Sequence, residues 1–286
     1  MTLVSNIHSL ESIQKMINQN DFYLKKSLGQ NFLIDNNIAK KMAQNINCNQ
    51  RNILEIGPGL GSLTRELLIE GSKSIIGIEK DYRAIKLLEP LIMKSDGKLK
   101  VIHGDAKKTN LSSLEFIFDS IVGNLPYNIS TFLILSWLEE IESDRKLNFI
   151  KNITVTIQKE VAERIVAKPG TKSFGRLSLI MDLLSRPKLL FNISPDAFQP
   201  KPQVISTLIN IQPLKKPKYQ VKLKTFLLIT KLAFNQRRKM LRQSLKSISG
   251  RKILFNSGID DNKRAENLST EEFCNLSNCY DQMSKI

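Results

Sequence analysis

Asn52-Ile53-Leu54-Glu55-Ile56-Gly57-Pro58-Gly59-Leu60-Gly61-Ser62-Leu63-Thr64 runs from a short apolar segment into glycines at 57, 59 and 61, then into a helical pattern. Glycines at such a corner let the backbone turn sharply and let a ligand approach the chain closely. The G-x-G-x-G spacing departs from the G-x-G-x-x-G dinucleotide fingerprint. No Gly-Lys-Ser/Thr follows, so a phosphate-cradling P-loop is excluded as well.

Working outward, further candidate strands lie at 74–78, 99–102, 120–122, 153–157, 188–191 and 204–211, with helical segments at 62–70, 82–94 and 131–141. Alternation of this kind predicts an α/β, Rossmann-like sheet that is mostly parallel and covered on both faces. The last two strands are joined through the proline-rich loop 194–203, which allows a hairpin and so one antiparallel strand at an edge. Gln212-Pro213-Leu214-Lys215-Lys216-Pro217-Lys218 reads as a linker, and beyond it 223–233, 237–248 and 271–279 read as helices. The expected organisation is a larger domain over 1–211 and a small basic helical domain over 212–286. Leu3, Ile7, Leu10, Ile13 and Ile17 have roughly helical spacing, which suits an amphipathic helix or an arm at the start of the chain.

The chain has 286 residues, of which 41% are hydrophobic and 24% charged, enough for a large core and too apolar for wholesale disorder. No run of 18 apolar residues is present, so no transmembrane helix is expected. Cys48, Cys274 and Cys279 show no metal-site spacing with the two histidines. A disulfide framework and a metal site are therefore not expected, and a reducing cytoplasm is the expected compartment. Net charge is +16, and residues 197–259 hold 14 Lys or Arg with no Asp or Glu. Such a stretch attracts a polyanion, nucleic acid before a membrane surface, although a Lys-rich composition alone would also produce it.

Three strand ends carry chemistry. Glu79 closes the second strand, where a carboxylate can accept hydrogen bonds from both ribose hydroxyls of a nucleoside. Asp105, in His103-Gly104-Asp105-Ala106, closes the third and can accept from an adenine amine. The fourth runs into Gly123-Asn124-Leu125-Pro126-Tyr127-Asn128-Ile129-Ser130. There the Asn124 oxygen and a backbone carbonyl can accept from an amino group, and Tyr127 can stack on a base at roughly 1–3 kcal/mol. His103 is read as structural and His8 as a surface residue.

Taken together, these residues resemble the bacterial ribosomal RNA small-subunit methyltransferase A family, the adenine-N6,N6-dimethyltransferases. The likeness begins at Leu28-Gly29-Gln30-Asn31-Phe32-Leu33-Ile34-Asp35 and takes in Leu54–Thr64, Glu79, Gly104-Asp105-Ala106 and Gly123–Ser130. It continues through Gln158-Lys159-Glu160, Phe174-Gly175-Arg176-Leu177-Ser178 and Phe198-Gln199-Pro200-Lys201-Pro202-Gln203-Val204 to the basic Ala233–Arg242. The resemblance implies S-adenosylmethionine as methyl donor, held by Asn31, Leu33, Gly57, Glu79, Asp105 and Asn124, with Gly59 in the same loop. It implies that Asn124, the Leu125 carbonyl, Pro126 and Tyr127 receive the target adenine and that Phe198 closes its other face. It also implies two methyls on each of two adjacent adenosines near the 3′ end of 16S RNA in the 30S subunit, and a monomer.

In that chemistry the exocyclic amine is a poor nucleophile, and two acceptors on its N–H bonds favour a pyramidal nitrogen, so positioning and electrostatics carry the rate. The target base must be single-stranded or extruded. Arg237, Arg238, Lys239 and Arg242 have helical spacing and are expected to form one positive face on RNA phosphates. Competing readings are a 23S RNA dimethyltransferase of the same fold and a non-catalytic ribosome-assembly or transcription factor. Intact Glu79, Asp105 and Asn124–Tyr127 favour a working enzyme. A nicotinamide dehydrogenase comes last, because the glycine spacing is wrong for it.

Overall fold

A computed structural model describes residues 2–19 and 31–284, so Leu28-Gly29-Gln30 lies outside the described residues. Short helices α1 (Leu3–His8) and α2 (Ile13–Gln19) place Ile7, Ile13, Met16 and Ile17 in the core, so the apolar spacing at the start of the chain belongs to two helices. Strand β1 (Phe32–Leu33) is followed by α3 (Asn36–Ile46), whose first N–H groups, at Asn37 and Ile38, are accepted by the Asp35 carboxylate. The sheet then builds through β2 (Asn52–Ile56), α4 (Ser62–Ile69), β3 (Ser74–Glu79), α5 (Tyr82–Met93), β4 (Leu99–His103), β5 (Ser120–Asn124), α6 (Tyr127–Ser143) and β6 (Asn152–Gln158). After α7 (Lys159–Ile165) and α8 (Arg176–Leu184) come β7 (Ser185–Ile193), β8 (Phe198–Gln199) and β9 (Ser206–Pro213).

Seven strands lie in the order β4-β3-β2-β5-β6-β9-β7. β4, β3, β2, β5 and β6 are mutually parallel, and β9 runs antiparallel to β6 with Ile153 opposite Ile211 and Gln158 opposite Ser206. The reversal falls inside the sheet, at β9, with β7 beyond it at the edge. Strand order reverses between β2 and β5, and ligands bind open α/β sheets at the carboxyl ends beside such a switch point. Buried Ile53, Leu54, Ile75, Ile78, Ile121, Val122, Ile153 and Val155 supply the two-sided apolar strands that a covered parallel sheet needs.

Gly123 sets how closely the two halves approach: a Cβ there would sit 2.5 Å from the Ile56 carbonyl oxygen, so only glycine lets β5 lie so near β2 just before Asn124. A separate two-stranded antiparallel pair, β1 with β8, places Leu33 opposite Phe198.

The chain forms two units. One comprises the residues up to Ala162 together with Lys188–Pro213; the other comprises Glu163–Pro187 with the residues from Leu214 onward. This corrects the 1–211 and 212–286 division for residues 163–187, which group with the C-terminal helices. The reason is packing and polar contact within that unit. The Phe174 ring lies against Phe234, which lies against Phe273, at centroid separations of 6.4 and 6.0 Å. Asp182 pairs with Lys218 at 3.0 Å, and the Leu214 and Lys218 N–H groups donate to the Leu184 and Leu183 carbonyls. Residues 214–218 are thereby fastened to α8 and do not form a free linker.

That second unit also holds α9 (Leu223–Asn235), α10 (Leu241–Ser244), α11 (Gly250–Asn256) and α12 (Thr270–Met283), the last opened by a reciprocal Ser269–Glu272 capping box. The helix expected over 237–248 is broken. Residues 236–238 form a turn, Met240 makes an antiparallel bridge with Arg264, and Leu241 N–H donates to the Lys263 carbonyl. Pairing with the 261–264 segment requires extended backbone at 240, which outweighs the local helical pattern.

Candidate active site

At the carboxyl ends of β2, β3, β4 and β5 a cavity of about 320 Å³ opens, and its wall includes Asn31, Leu33, Gly57, Gly59, Glu79, Asp105, Asn124, Leu125, Pro126 and Tyr127. Ten of the residues singled out from the sequence thus share one wall. The glycine corner explains its shape. Gly59 has a φ of +57°, and a Cβ there would lie 2.9 Å from the Phe32 ring, so glycine alone suits both the turn and the close approach.

Glu79 is buried. Its two oxygens accept the Gly59 N–H at 2.9 Å and the Asp81 N–H at 2.8 Å, which locks the acid to the glycine loop. Burial still holds its carboxyl above the usual carboxylate range, although these backbone donors oppose the shift. Asp105 behaves oppositely: Lys80, 2.9 Å away, draws its carboxyl below the ordinary range, and the Lys107 N–H also donates to it at 3.0 Å.

Asn124 is held by a contact that sequence reasoning missed. Its Nδ2 donates to the backbone carbonyl of Asn31 at 2.8 Å. A carbonyl can only accept, so the amide orientation is set, and Oδ1 accepts no hydrogen bond among the described residues. The Tyr127 hydroxyl is paired with Ser206 Oγ at 2.6 Å, which fixes the ring at the start of α6. Leu33 carbonyl accepts from Ser62 Oγ, tying β1 to the first turn of α4.

Phe198 departs from expectation. It is 3% exposed, packs in the core with Leu33, Ile193 and Leu208, and is absent from the cavity wall. Pairing of β8 with β1 turns it inward. The four basic residues expected on one helical face are also dispersed. Arg237 pairs with Glu266 at 2.8 Å and donates to the Lys172 carbonyl; Arg242 pairs with Asp261 at 3.7 Å and donates to Asn262. Arg238 and Lys239 are exposed and have no carboxylate within ion-pairing distance among the described residues.

Glu55 was overlooked, although a carboxylate inside the apolar run Ile53-Leu54-Glu55-Ile56 is itself a signal. It lines the cavity, is 1% exposed and accepts from Thr64 Oγ1 at 2.8 Å. Burial pushes its carboxyl up to about 8, with the charge of Glu79 adding to the shift and the Thr64 hydroxyl opposing it. Between the ordinary carboxylate range and pH 8, the folded chain therefore binds a proton at Glu55 that the unfolded chain has lost. Stability contributed by Glu55 should be greatest at the acid end of that window, fall as pH rises towards 8, and level off above it. The melting temperature of Glu55→Gln should decline less than that of the natural chain between pH 5 and pH 8.5. Parallel curves would remove the protonated-carboxyl assignment.

Fold and cavity together define the class, a Rossmann-like methyltransferase of the S-adenosylmethionine-dependent type with a C-terminal helical domain. The chain belongs to the ribosomal RNA adenine dimethylase family, whose model matches residues 21–282. It is 40% identical over 274 residues to the ribosomal RNA small subunit methyltransferase A of Chelativorans sp. (strain BNC1), covering 95% of this chain and 98% of that one. The protein of the same description from Wolbachia sp. subsp. Drosophila simulans (strain wRi) is 42% identical over 257 residues, covering 89% and 92%. Among solved structures, a dimethyladenosine transferase from Plasmodium falciparum shares the fold with a TM-score of 0.72 at 24% identity, covering 87% of this chain and 97% of that one. The 23S rRNA methyltransferase ErmE does so with a TM-score of 0.64 at 22% identity, covering 88% and 100%.

Proposed function

We infer that this chain dimethylates N6 of two adjacent adenosines near the 3′ end of 16S RNA in the small ribosomal subunit, with S-adenosylmethionine as methyl donor, and so serves 30S biogenesis. The observation that carries the reading is Asn124, whose amide is anchored through Nδ2 to the Asn31 carbonyl while Oδ1 has no partner among the described residues, in the same wall as Tyr127 and Glu79. The residues suit the donor. Glu79 supplies a buried acceptor for ribose hydroxyls, Asp105 an acceptor for the adenine amine, and Gly57 and Gly59, on either side of Pro58, two points of the wall where the backbone carries no side chain; Asn31 and Leu33 bound the cavity alongside them. When bound, the donor supplies an electrophilic methyl group on a sulfonium.

This chain's own residues would do the rest by holding the base. Asn124 Oδ1 and the Leu125 carbonyl accept the two N–H bonds of the target amine, drawing its lone pair out of conjugation with the ring. Pro126 sets the entry of α6 and so the place of Tyr127, whose ring stacks on the base. Phe198 is left out of this assignment. No residue with an unpaired basic side chain is needed as a general base, since positioning makes the nitrogen nucleophilic. The enzyme is proposed to work in the cytoplasm as a monomer. Among the described residues no helix is long and apolar enough to cross a membrane.

The direct test is transfer of tritiated methyl from S-adenosylmethionine into undermethylated 30S subunits, followed by nucleoside analysis. Label recovered as N6,N6-dimethyladenosine in 16S RNA is expected. Label confined to 23S RNA, or RNA binding without label, would overturn the reading. Arg238 and Lys239 are the unneutralised members of the basic group, with Arg237 committed to Glu266. Replacing all three with glutamine should therefore lower the salt slope of RNA binding by about 2, not 3. An unchanged slope would place the phosphate contacts elsewhere.

A further inference from the structure

Two aromatic rings stand exposed at the ends of one loop on the cavity rim. Phe132, in the second turn of α6, is 51% exposed, and Tyr82, the first residue of α5, is 57% exposed. Each ring carries a lysine: Lys107 Nζ lies 5.6 Å from the Phe132 centroid and Lys86 Nζ lies 5.2 Å from the Tyr82 centroid. The loop from His103 to Lys107 joins the pair. His103 meets Tyr82 edge-on at 5.9 Å, Lys107 reaches Phe132, and Asp105 between them lines the cavity. Five residues span at most about 14 Å from first Cα to last, so both rings flank one short loop whose Gly104 to Lys107 line the cavity, although neither ring is itself in the wall.

The charge at this rim is available. Neither Lys86 nor Lys107 has a carboxylate within ion-pairing distance among the described residues, whereas Arg237, Arg242 and Arg251 of the basic stretch are paired with Glu266 or Asp261. The loop between the rings presents His103, Asp105 and Lys107, polar and charged groups that suit a nucleic acid better than an apolar protein or membrane partner. Exposed rings with lysines beside them are what unstacked nucleotides require: a π-face for each base and a cation for the neighbouring phosphate.

We propose that this rim is an RNA platform of the methyltransferase unit, in which Phe132 and Tyr82 stack on bases flanking the target adenosine while Lys107 and Lys86 take the adjoining phosphates. The inference rests on the adenosine-methylation reading above. Drawing the target base into the cavity strips its neighbours of a stacking partner, and the two rings replace it.

The test uses the full chain and a fluorescently labelled RNA hairpin whose loop carries two adjacent adenosines. Leucine retains bulk at both exposed positions, so Phe132→Leu and Tyr82→Leu should melt like the natural chain. Each should weaken hairpin binding about tenfold. Phe132→Trp should restore affinity, and Lys86→Gln with Lys107→Gln should lower the salt slope by about 2. Calorimetric affinity for S-adenosylmethionine should not change in Phe132→Leu and Tyr82→Leu, because neither ring lines the cavity. Unaltered hairpin affinity and slope, loss not rescued by tryptophan, or loss of methyl-donor affinity alone would each overturn the platform. If the natural chain binds the hairpin through these rings yet forms no dimethyladenosine in 30S subunits, the methylation reading falls and only the RNA-stacking role of the rings stands, without a target adenosine. If the natural chain does not bind the hairpin, the platform falls whatever the methylation result.

Discussion

Asn124→Ala is expected to slow methyl transfer to RNA by at least about 100-fold while leaving RNA affinity within about twofold. Removing a preorganised polar group that acts on developing charge typically costs that much in rate. Two interactions disappear together: Oδ1 as an acceptor in the cavity wall, and the Nδ2 bond that ties β5 to the Asn31 carbonyl. Asn124→Asp separates them. A carboxylate keeps acceptors but cannot donate to Asn31, and the two oxygens would repel, so the side chain should turn away and activity should stay low. Single-turnover transfer measured beside RNA binding reads the outcome. Normal turnover in Asn124→Ala would remove the amine-acceptor role, and normal turnover in Asn124→Asp would show that the Asn31 tether is dispensable.

Glu79→Ala should weaken S-adenosylmethionine binding by at least about 10- to 100-fold in calorimetry, because even one hydrogen bond to a charged group contributes roughly 1.5–3 kcal/mol. Glu79→Gln discriminates further. Its single amide oxygen cannot replace both carboxylate oxygens, so the bond to the Gly59 N–H or that to the Asp81 N–H is lost, and the glycine corner loosens. An intermediate dissociation constant is expected for Gln. RNA affinity should not follow. An unaltered dissociation constant in Glu79→Ala would discard the ribose assignment, and a parallel loss of RNA binding would show a general collapse of the unit.

The parts of the site that were legible in the sequence are those written in one local stretch. Gly57 to Gly61 after an apolar run, an acid ending each of the next two strands, and Asn124 to Tyr127 after the fourth all place chemistry at strand ends. Strand–turn–helix chemistry depends on neighbouring residues, so it survives reading without coordinates. The burial of Phe198 was not legible because it depends on β8 meeting β1 across more than 160 residues. The basic helix was misplaced because its spacing is sound locally, whereas Glu266, Asp261 and the Met240–Arg264 bridge act on it from outside.

Hydrophobic periodicity and glycine placement, both short-range properties, therefore determined by themselves the parallel sheet, the glycine corner and the row of acids at its carboxyl edge. Tertiary structure alone decided which way Asn124 presents its oxygen, that Glu55 is buried in the cavity wall, that 163–187 joins the helical unit, and which cations lack a carboxylate partner among the described residues. Each of those outcomes turns on a hydrogen bond, ion pair or loss of solvent supplied by residues distant in the chain. Such contacts outweigh local propensity, which is worth only about 1 kcal/mol or less per residue.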